Sequence, residues 1–185
     1  MLIDSEFLIK KLNLQAHPYE GGNFKETYRS SVFVSYDKLS GHKNDVYSTY
    51  SKKHSERKVR PASTLIYYLL NKSQFSPIHR VRTDEVWHFY LGSPLIMYIL
   101  SDEQYPTIVK LGHNIEDDDC YLHYVITENS WFCAEVEDKK SFSLVGCTVS
   151  PGFDFADFEM GKKSELLTAY PQHQSIIEKF SQEIT

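Results

Sequence analysis

The sequence predicts an all-β protein, an antiparallel sandwich or barrel with short helices near its N-terminal and C-terminal ends. Two observations predict this fold class. The aromatic fraction is 14%, with 13 Tyr and 11 Phe, and aromatic side chains suit the half-buried surface of a sheet. Eight or more short apolar segments also follow one another without β-α-β alternation, which favours antiparallel pairing.

Length, charge and cysteine content narrow the class of protein. A chain of 185 residues is expected to form one domain, 1–185, with a sizeable core. The net charge of -5 argues against a nucleic-acid partner. Cys120, Cys133 and Cys147 are odd in number and lack C-x-x-C spacing, so we expect buried thiols in a reducing compartment. Since neither a signal peptide nor a membrane-length apolar run is evident, we expect a cytoplasmic protein without a membrane partner.

The N-terminal elements follow from local patterns. Residues 4–14 have an approximate helical spacing of apolar positions, and Asp4 or Ser5 can cap the helix. The pair Gly21-Gly22 predicts a turn into the segment NFKETYR. Alternation there predicts a strand with Glu26 and Tyr28 on one face.

A polar interval at 37–60 interrupts the strand pattern. Its lysines and arginines could contact phosphate, but the acidic total charge favours a solvated loop insertion.

The remaining elements are strands followed by two helices. Strands are expected at 63–70, 94–101, 106–112, 120–127, 130–136 and 142–150, and within 79–92 a hairpin is expected to carry His79 and Glu85 at adjacent positions. One helix is expected from about Lys163 to before Pro171, and a second in QSIIEKFSQEI, with Ile176, Ile177 and Phe180 on its apolar side.

The segment HRVRTDEVWHFYLG resembles the first motif of the cupins, G-x5-H-x-H-x(3,4)-E-x6-G. His79, Glu85 and Gly92 fit this frame, with Val81 in place of the second histidine. The blocks HPYEGGNFKETYRS, STLIYYLL, GCTVSPGFDFADFE and LLTAYPQH are similar to a branch of small single-domain cupins of unknown function (cupin type 5). The resemblance implies an antiparallel jelly-roll barrel, usually a homodimer, with a ligand pocket at the barrel mouth.

A cupin metal usually takes a further histidine from a second motif. The segment TENSWFCAE matches that motif, with Phe132 in place of the histidine, so the resemblance leaves His79 and Glu85 as the only ligands. Catalytic sites usually need three. Strand alternation turns His88 away from Glu85. We therefore expect no metal and no other cofactor.

His79 and Glu85 remain as candidate catalytic residues facing the pocket. A histidine base oriented by a carboxylate can move a proton near neutral pH. Alternatively, the two could be a satisfied buried pair, bonded to each other or to tyrosine hydroxyls. The candidate ligand-binding residues are Glu26, Tyr28, Tyr68, Trp87, Trp131 and Phe132.

Two functions remain open. The first is binding of a small polar metabolite, carbohydrate-like or nucleotide-sugar-like, without turnover. The second is a metal-independent sugar epimerase or isomerase with His79 as the general base.

Overall fold

β-Strands make up most of the regular structure in a computed structural model that describes residues 3–35, 59–72 and 74–181. The strands are β1 (Gln15–Ala16), β2 (Asn23–Arg29), β3 (Phe33–Ser35), β4 (Val59–Pro61), β5 (Thr64–Asn71), β6 (Phe75–Val81), β7 (Glu85–Gly92), β8 (Leu95–Ile99), β9 (Thr107–Leu111), β10 (Cys120–Tyr121), β11 (His123–Ile126), β12 (Phe132–Val136), β13 (Phe142–Val149) and β14 (Phe158–Met160). The helices are α1 (Ser5–Leu12), α2 (Lys163–Ala169) and α3 (Gln174–Phe180), with 3-10 turns at Phe155–Asp157 and Pro171–His173.

Two six-stranded sheets carry the fold. One has the order β1-β2-β5-β13-β7-β11, and the other has the order β10-β9-β8-β12-β6-β14. Pairing is antiparallel except between the short β10 and β9. Several strands that follow one another in the chain, such as β6 and β7 or β12 and β13, lie in different sheets, which is the wrapping of a jelly roll. The predicted all-β, antiparallel class is confirmed.

Apolar side chains from both sheets meet in one core. Trp87 and Phe89 on β7 lie in the same buried cluster as Met97 on β8 and Phe132 on β12. Alternate residues of β7 are buried, as expected for a strand with one face toward a core.

The helices cover the outer faces of the sheets. Leu8 of α1 packs with Leu69 and Leu144 on the outside of the first sheet. Ile177 and Phe180 of α3 pack against Ile78 on the outside of the second sheet. The predicted helices near both ends are therefore present, and Asp4 caps α1 by accepting a hydrogen bond from the backbone N–H of Phe7.

The predicted insertion at 37–60 lies outside the described residues, apart from its last two positions. None of the helices in the described ranges has the length and apolar character needed to cross a membrane.

A buried ion pair fixes the segment that precedes β14. Arg60 on β4 donates two hydrogen bonds to the carboxylate of Asp157, at 2.5 and 3.0 Å. The two side chains are only 4% and 2% exposed. Because Asp157 ends the turn that carries Phe155, this pair positions part of the cavity described below.

We predict that Asp157→Asn lowers the free energy of unfolding by about 3 kcal/mol, because it removes the negative charge that Asp157 places against the buried Arg60 guanidinium. Glu159→Gln is the control, since it removes a carboxylate from the half-buried pair with Arg80 and is expected to cost less than about 1 kcal/mol. Urea denaturation measures both, and equal losses would contradict the prediction.

Candidate functional site

A cavity of about 300 Å³ lies at one end of the barrel. The ends of β2, β5, β7 and β13 form part of its wall, and the loop before β2 and the segment before β14 complete it. Four acidic side chains line the cavity: Glu20, Glu26, Glu85 and Asp154. It is therefore a charged pocket in an otherwise apolar barrel.

The loop that carries Glu20 is shaped by two glycines. Gly21 and Gly22 have φ of 67° and 64°, in the left-handed region that favours glycine. A Cβ on Gly22 would lie 2.6 Å from the carbonyl oxygen of Leu69, so a larger residue would displace the loop. The Tyr68 hydroxyl donates a hydrogen bond to the carbonyl of Glu20 at 3.0 Å and so anchors the loop to β5.

Backbone contacts set the tautomers of two histidines on either side of Glu20. His17 Nδ1 accepts a hydrogen bond from the backbone N–H of Glu20 at 2.8 Å, so the proton of the neutral ring is on Nε2. His79 Nδ1 lies 2.8 Å from the carbonyl oxygen of Pro77, so it must donate, and the neutral ring has a lone pair on Nε2. In their neutral forms His17 therefore presents an N–H donor to Glu20, and His79 presents a lone-pair acceptor.

Glu20 lies between these two rings. Its Oε1 is 3.6 Å from His17 Nε2, and its Oε2 is 3.7 Å from His79 Nε2. Burial raises the pKa of Glu20 to about 8. Burial also lowers the pKa of His17 to about 4, with the His79 charge as a second cause, and lowers the pKa of His79. Both distances are longer than a hydrogen bond, but the polarity of the two rings matches a protonated Glu20, with an N–H of His17 near Oε1 and a lone pair of His79 near Oε2.

Glu85 is the second buried carboxyl group in the cavity. It is 7% exposed, and its Oε2 has no hydrogen-bond partner among the described residues. Two donors, the indole N–H of Trp87 and the thiol of Cys147, are near the Glu85 carboxyl group, but neither makes a hydrogen bond of normal geometry to Oε2. Burial raises the pKa of Glu85 to about 7, and the charge of Glu20 adds to the rise. Both carboxyl groups thus exchange protons near neutral pH.

A β-bulge decides which side chains of β2 reach the cavity. Glu26 pairs with Ile66, and the register then shifts by one residue, so that Tyr28 pairs with Leu65 and Arg29 with Thr64. The cavity is lined by Glu26 and Arg29, whereas Tyr28 does not line it and is 53% exposed. The bulge therefore breaks the alternation on which the expected common face of Glu26 and Tyr28 depends.

Arg29 and Glu26 form a bidentate ion pair at the cavity. Arg29 Nε and Nη2 donate to the two carboxylate oxygens of Glu26 at 2.9 and 2.6 Å. Arg29 Nη1 donates to the carbonyl of Phe153 at 3.2 Å. All three nitrogen atoms of this guanidinium are therefore engaged.

Two candidate residues named from the sequence, Glu26 and Glu85, line the cavity. His79 does not. It is 1% exposed and contacts Glu20 through Nε2, so it lies behind that carboxyl group. The expectation that one hairpin carries His79 and Glu85 is wrong, because β6 and β7 lie in different sheets. The two residues influence each other electrostatically without a direct hydrogen bond.

The candidate aromatic residues occupy other positions. Tyr68, Trp87 and Phe132 are each 1% exposed and pack edge-to-face around Trp87 in the core. Trp131 stacks with the Arg80 guanidinium at 4.4 Å and packs with the cluster on the helix-covered face of the second sheet. Phe24, Phe153 and Phe155 form the aromatic wall of the cavity instead.

His88 faces away from Glu85, as strand alternation predicts. Its Nε2 contacts the Thr148 hydroxyl at 3.1 Å, and its ring lies 6.3 Å from that of His123. Both rings are on the outer side of the first sheet.

The donor set does not fit a cupin metal. Val81 and Phe132 are apolar where the motifs place histidines, and the His79 nitrogen that could bind a metal faces Glu20. Within 3–35, 59–72 and 74–181, no group of three or more His, Cys, Asp or Glu residues could hold a metal ion. We therefore derive no step through a metal.

Sequence reasoning missed His17, Glu20 and Arg29. His17 and Glu20 directly precede a Gly-Gly turn, and two ionisable residues so close to a tight turn are a signal that could have identified them. Arg29 had no such signal, because a bulge cannot be recognised from alternation alone.

Comparison with known proteins assigns the chain to a family. Residues 6–161 match the family described as Cupin superfamily (DUF985). The chain belongs to the cupin superfamily. A hypothetical protein from Leishmania major is 31% identical, with a TM-score of 0.79 over 98% of this chain and 100% of that chain. A protein from Shewanella oneidensis is 30% identical, with a TM-score of 0.77 over 98% and 99%.

More distant similarity supports the jelly-roll fold of this cupin. A cupin 2 conserved barrel domain protein from Rhodopseudomonas palustris is 10% identical, with a TM-score of 0.51 over 89% of this chain and 82% of that chain. No curated protein matches the chain.

We predict different upper pH limits for two isosteric variants of this cupin. A carboxyl group with a raised pKa binds its proton more tightly in the folded state, so its contribution to stability is lost as pH rises. The stability difference between wild type and Glu85→Gln should therefore decline from about pH 5 and level off near pH 7. For Glu20→Gln the decline should continue to about pH 8.

Urea denaturation across this pH range measures both differences. Glu137→Gln, which alters an exposed pair with Lys110, is the control and should show no such pH dependence. A wild-type advantage that grows with pH would contradict the prediction, because it would mean that the folded state stabilises the carboxylate.

Proposed function

We propose that this cupin binds a small polar metabolite, carbohydrate-like or nucleotide-sugar-like, in the cavity. The observation that carries the proposal is the carboxyl group of Glu85, which lines the cavity, is buried, and has an Oε2 atom without a hydrogen bond of normal geometry among the described residues. Buried polar atoms are normally hydrogen-bonded, and a hydroxylated ligand would supply the missing partner.

The size and lining of the cavity support a compact ligand. A volume of about 300 Å³ is at the lower end of the range for small-molecule sites and suits a single ring. Of a nucleotide-sugar, only the sugar would then be enclosed. Phe24 and Phe153 can contact the apolar face of a sugar ring, while Glu20 and Glu85 contact its hydroxyls.

We propose in addition that the protein is a homodimer in the cytoplasm, as the sequence predicts. The three cysteines are buried and free, which supports a reducing compartment.

We predict that pentoses, hexoses or hexitols bind to the purified protein and that Glu85→Ala weakens the binding by about tenfold or more, because a hydrogen bond to a buried carboxyl group is lost. Saturation-transfer NMR detects the binding, and titration gives the affinity. Glu137→Gln should leave the affinity unchanged. Binding that is insensitive to Glu85→Ala, or no binding by any sugar or hexitol, would contradict the proposal.

A metal-independent epimerase or isomerase is the second candidate function. It is favoured by two carboxyl groups whose pKa values, about 7 and about 8, are suited to proton transfer near neutral pH. His79, the base expected from the sequence, lies behind Glu20. In this proposal Glu20 therefore contacts the substrate, and His79 accepts or returns its proton.

For this second function we predict that a carbon-bound proton of a bound sugar exchanges with solvent deuterium. Proton NMR in D₂O measures this exchange. Glu20→Gln should abolish the exchange, because its amide cannot take up the proton. If bound sugars show no exchange, the epimerase proposal fails and the binding proposal stands.

A further inference from the structure

We infer that the ligand of the cavity carries a cationic amino group, held between Glu85 and the aromatic wall. This inference rests on the proposed binding function and names the class of ligand.

The first argument is the charge of the cavity wall. Of the described residues that line it, Glu20, Glu26, Glu85 and Asp154 are acidic, and Arg29 is the one basic residue besides His17. The Arg29 charge is engaged by Glu26 and by the Phe153 carbonyl. Asp154 accepts a hydrogen bond from the backbone N–H of Ala156 but has no ion pair within the described ranges. Glu20 keeps its proton near neutral pH because its pKa is about 8, and Glu26 is paired with Arg29, so Glu85 and Asp154 supply the uncompensated negative charge. A ligand cation would complement these two groups, whereas an anion would be repelled.

The second argument is the unpartnered atom of Glu85. Oε2 can be satisfied by a donor on the ligand, and an ammonium group offers three. A neutral hydroxyl also donates, but it leaves an ionised Glu85 without a compensating charge in a buried site. An ammonium group supplies the donor and the charge together.

The third argument is the aromatic wall. Phe24, Phe153 and Phe155 line the same cavity as Glu85. The negative face of an aromatic ring attracts cations, and the attraction is stronger where water is excluded. Phe153 and Phe155 lie with ring centroids 5.1 Å apart at an interplanar angle of 81°, so they present differently oriented surfaces to a ligand.

The experiment compares three probes of one shape: trans-4-aminocyclohexanol, trans-1,4-cyclohexanediol and trans-4-hydroxycyclohexanecarboxylate, which differ at one substituent. At pH 7.5 they present about +1, 0 and -1 charge respectively. Titrations followed by protein NMR give the three affinities. We expect the amine to bind at least about tenfold more tightly than the diol, and the acid to bind most weakly.

Two variants assign the preference to the cavity. Glu85→Gln should reduce the ratio of amine to diol affinity to within about twofold, because the amide carries no charge. Phe155→Leu should lower the same ratio by removing a ring face, and this residue is 46% exposed, so the change is compatible with folding. Glu137→Gln, an equivalent loss of charge outside the cavity, should leave the ratio unchanged.

A diol that binds as tightly as the amine overturns the cation inference and leaves the proposed binding function standing. An amine preference that survives both Glu85→Gln and Phe155→Leu also overturns it, since the preference would arise elsewhere. If none of the three probes binds, the cation inference fails, and the sugar titrations decide separately on the binding function.

Discussion

The enclosure of two carboxyl groups by an apolar barrel is the constraint on which the site depends. Glu20 and Glu85 are removed from water, and burial raises their pKa values to about 8 and about 7. Each group can therefore gain or lose a proton near neutral pH. The surrounding histidines do not offset this by ionising, because burial disfavours their charged forms as well. The site is therefore close to neutral around Glu20 and at the Glu26–Arg29 pair, and its negative charge above about pH 7 comes from Glu85 and Asp154.

Hydrogen bonds to the main chain fix the two histidine rings and the loop that carries Glu20. The carbonyl of Pro77 and the N–H of Glu20 determine which nitrogen of each histidine carries a proton. The hydroxyl of Tyr68 contacts the backbone of the Glu20 loop, not a ligand. Residues such as Tyr68 and His79 thus act indirectly, by fixing the position and protonation of groups that line the cavity.

The fold and the site differ in how much the sequence reveals. Strand alternation placed Glu85, Trp87 and Phe89 on the buried face of β7, and the helices around Leu8 and Ile177 follow from spacing and caps. The residues that line the cavity are harder to predict from the sequence. It depends on which strands of two sheets come together and on a bulge in β2, and neither is visible in a local pattern. The aromatic residues named from composition serve the core, while the less conspicuous Phe153 and Phe155 line the cavity.

The bulge in β2 determines which side chains of this strand face the cavity, so the chemistry of the cavity mouth depends on how β2 pairs with β5. One extra residue, near Thr27, separates the inward-facing Glu26 from the inward-facing Arg29. If β2 kept its length but lost the bulge, simple alternation would turn Tyr28 inward and Arg29 outward. Related proteins with a bulge at a different position of this strand would therefore line the cavity with different side chains, and a similar sequence here does not by itself imply a shared ligand.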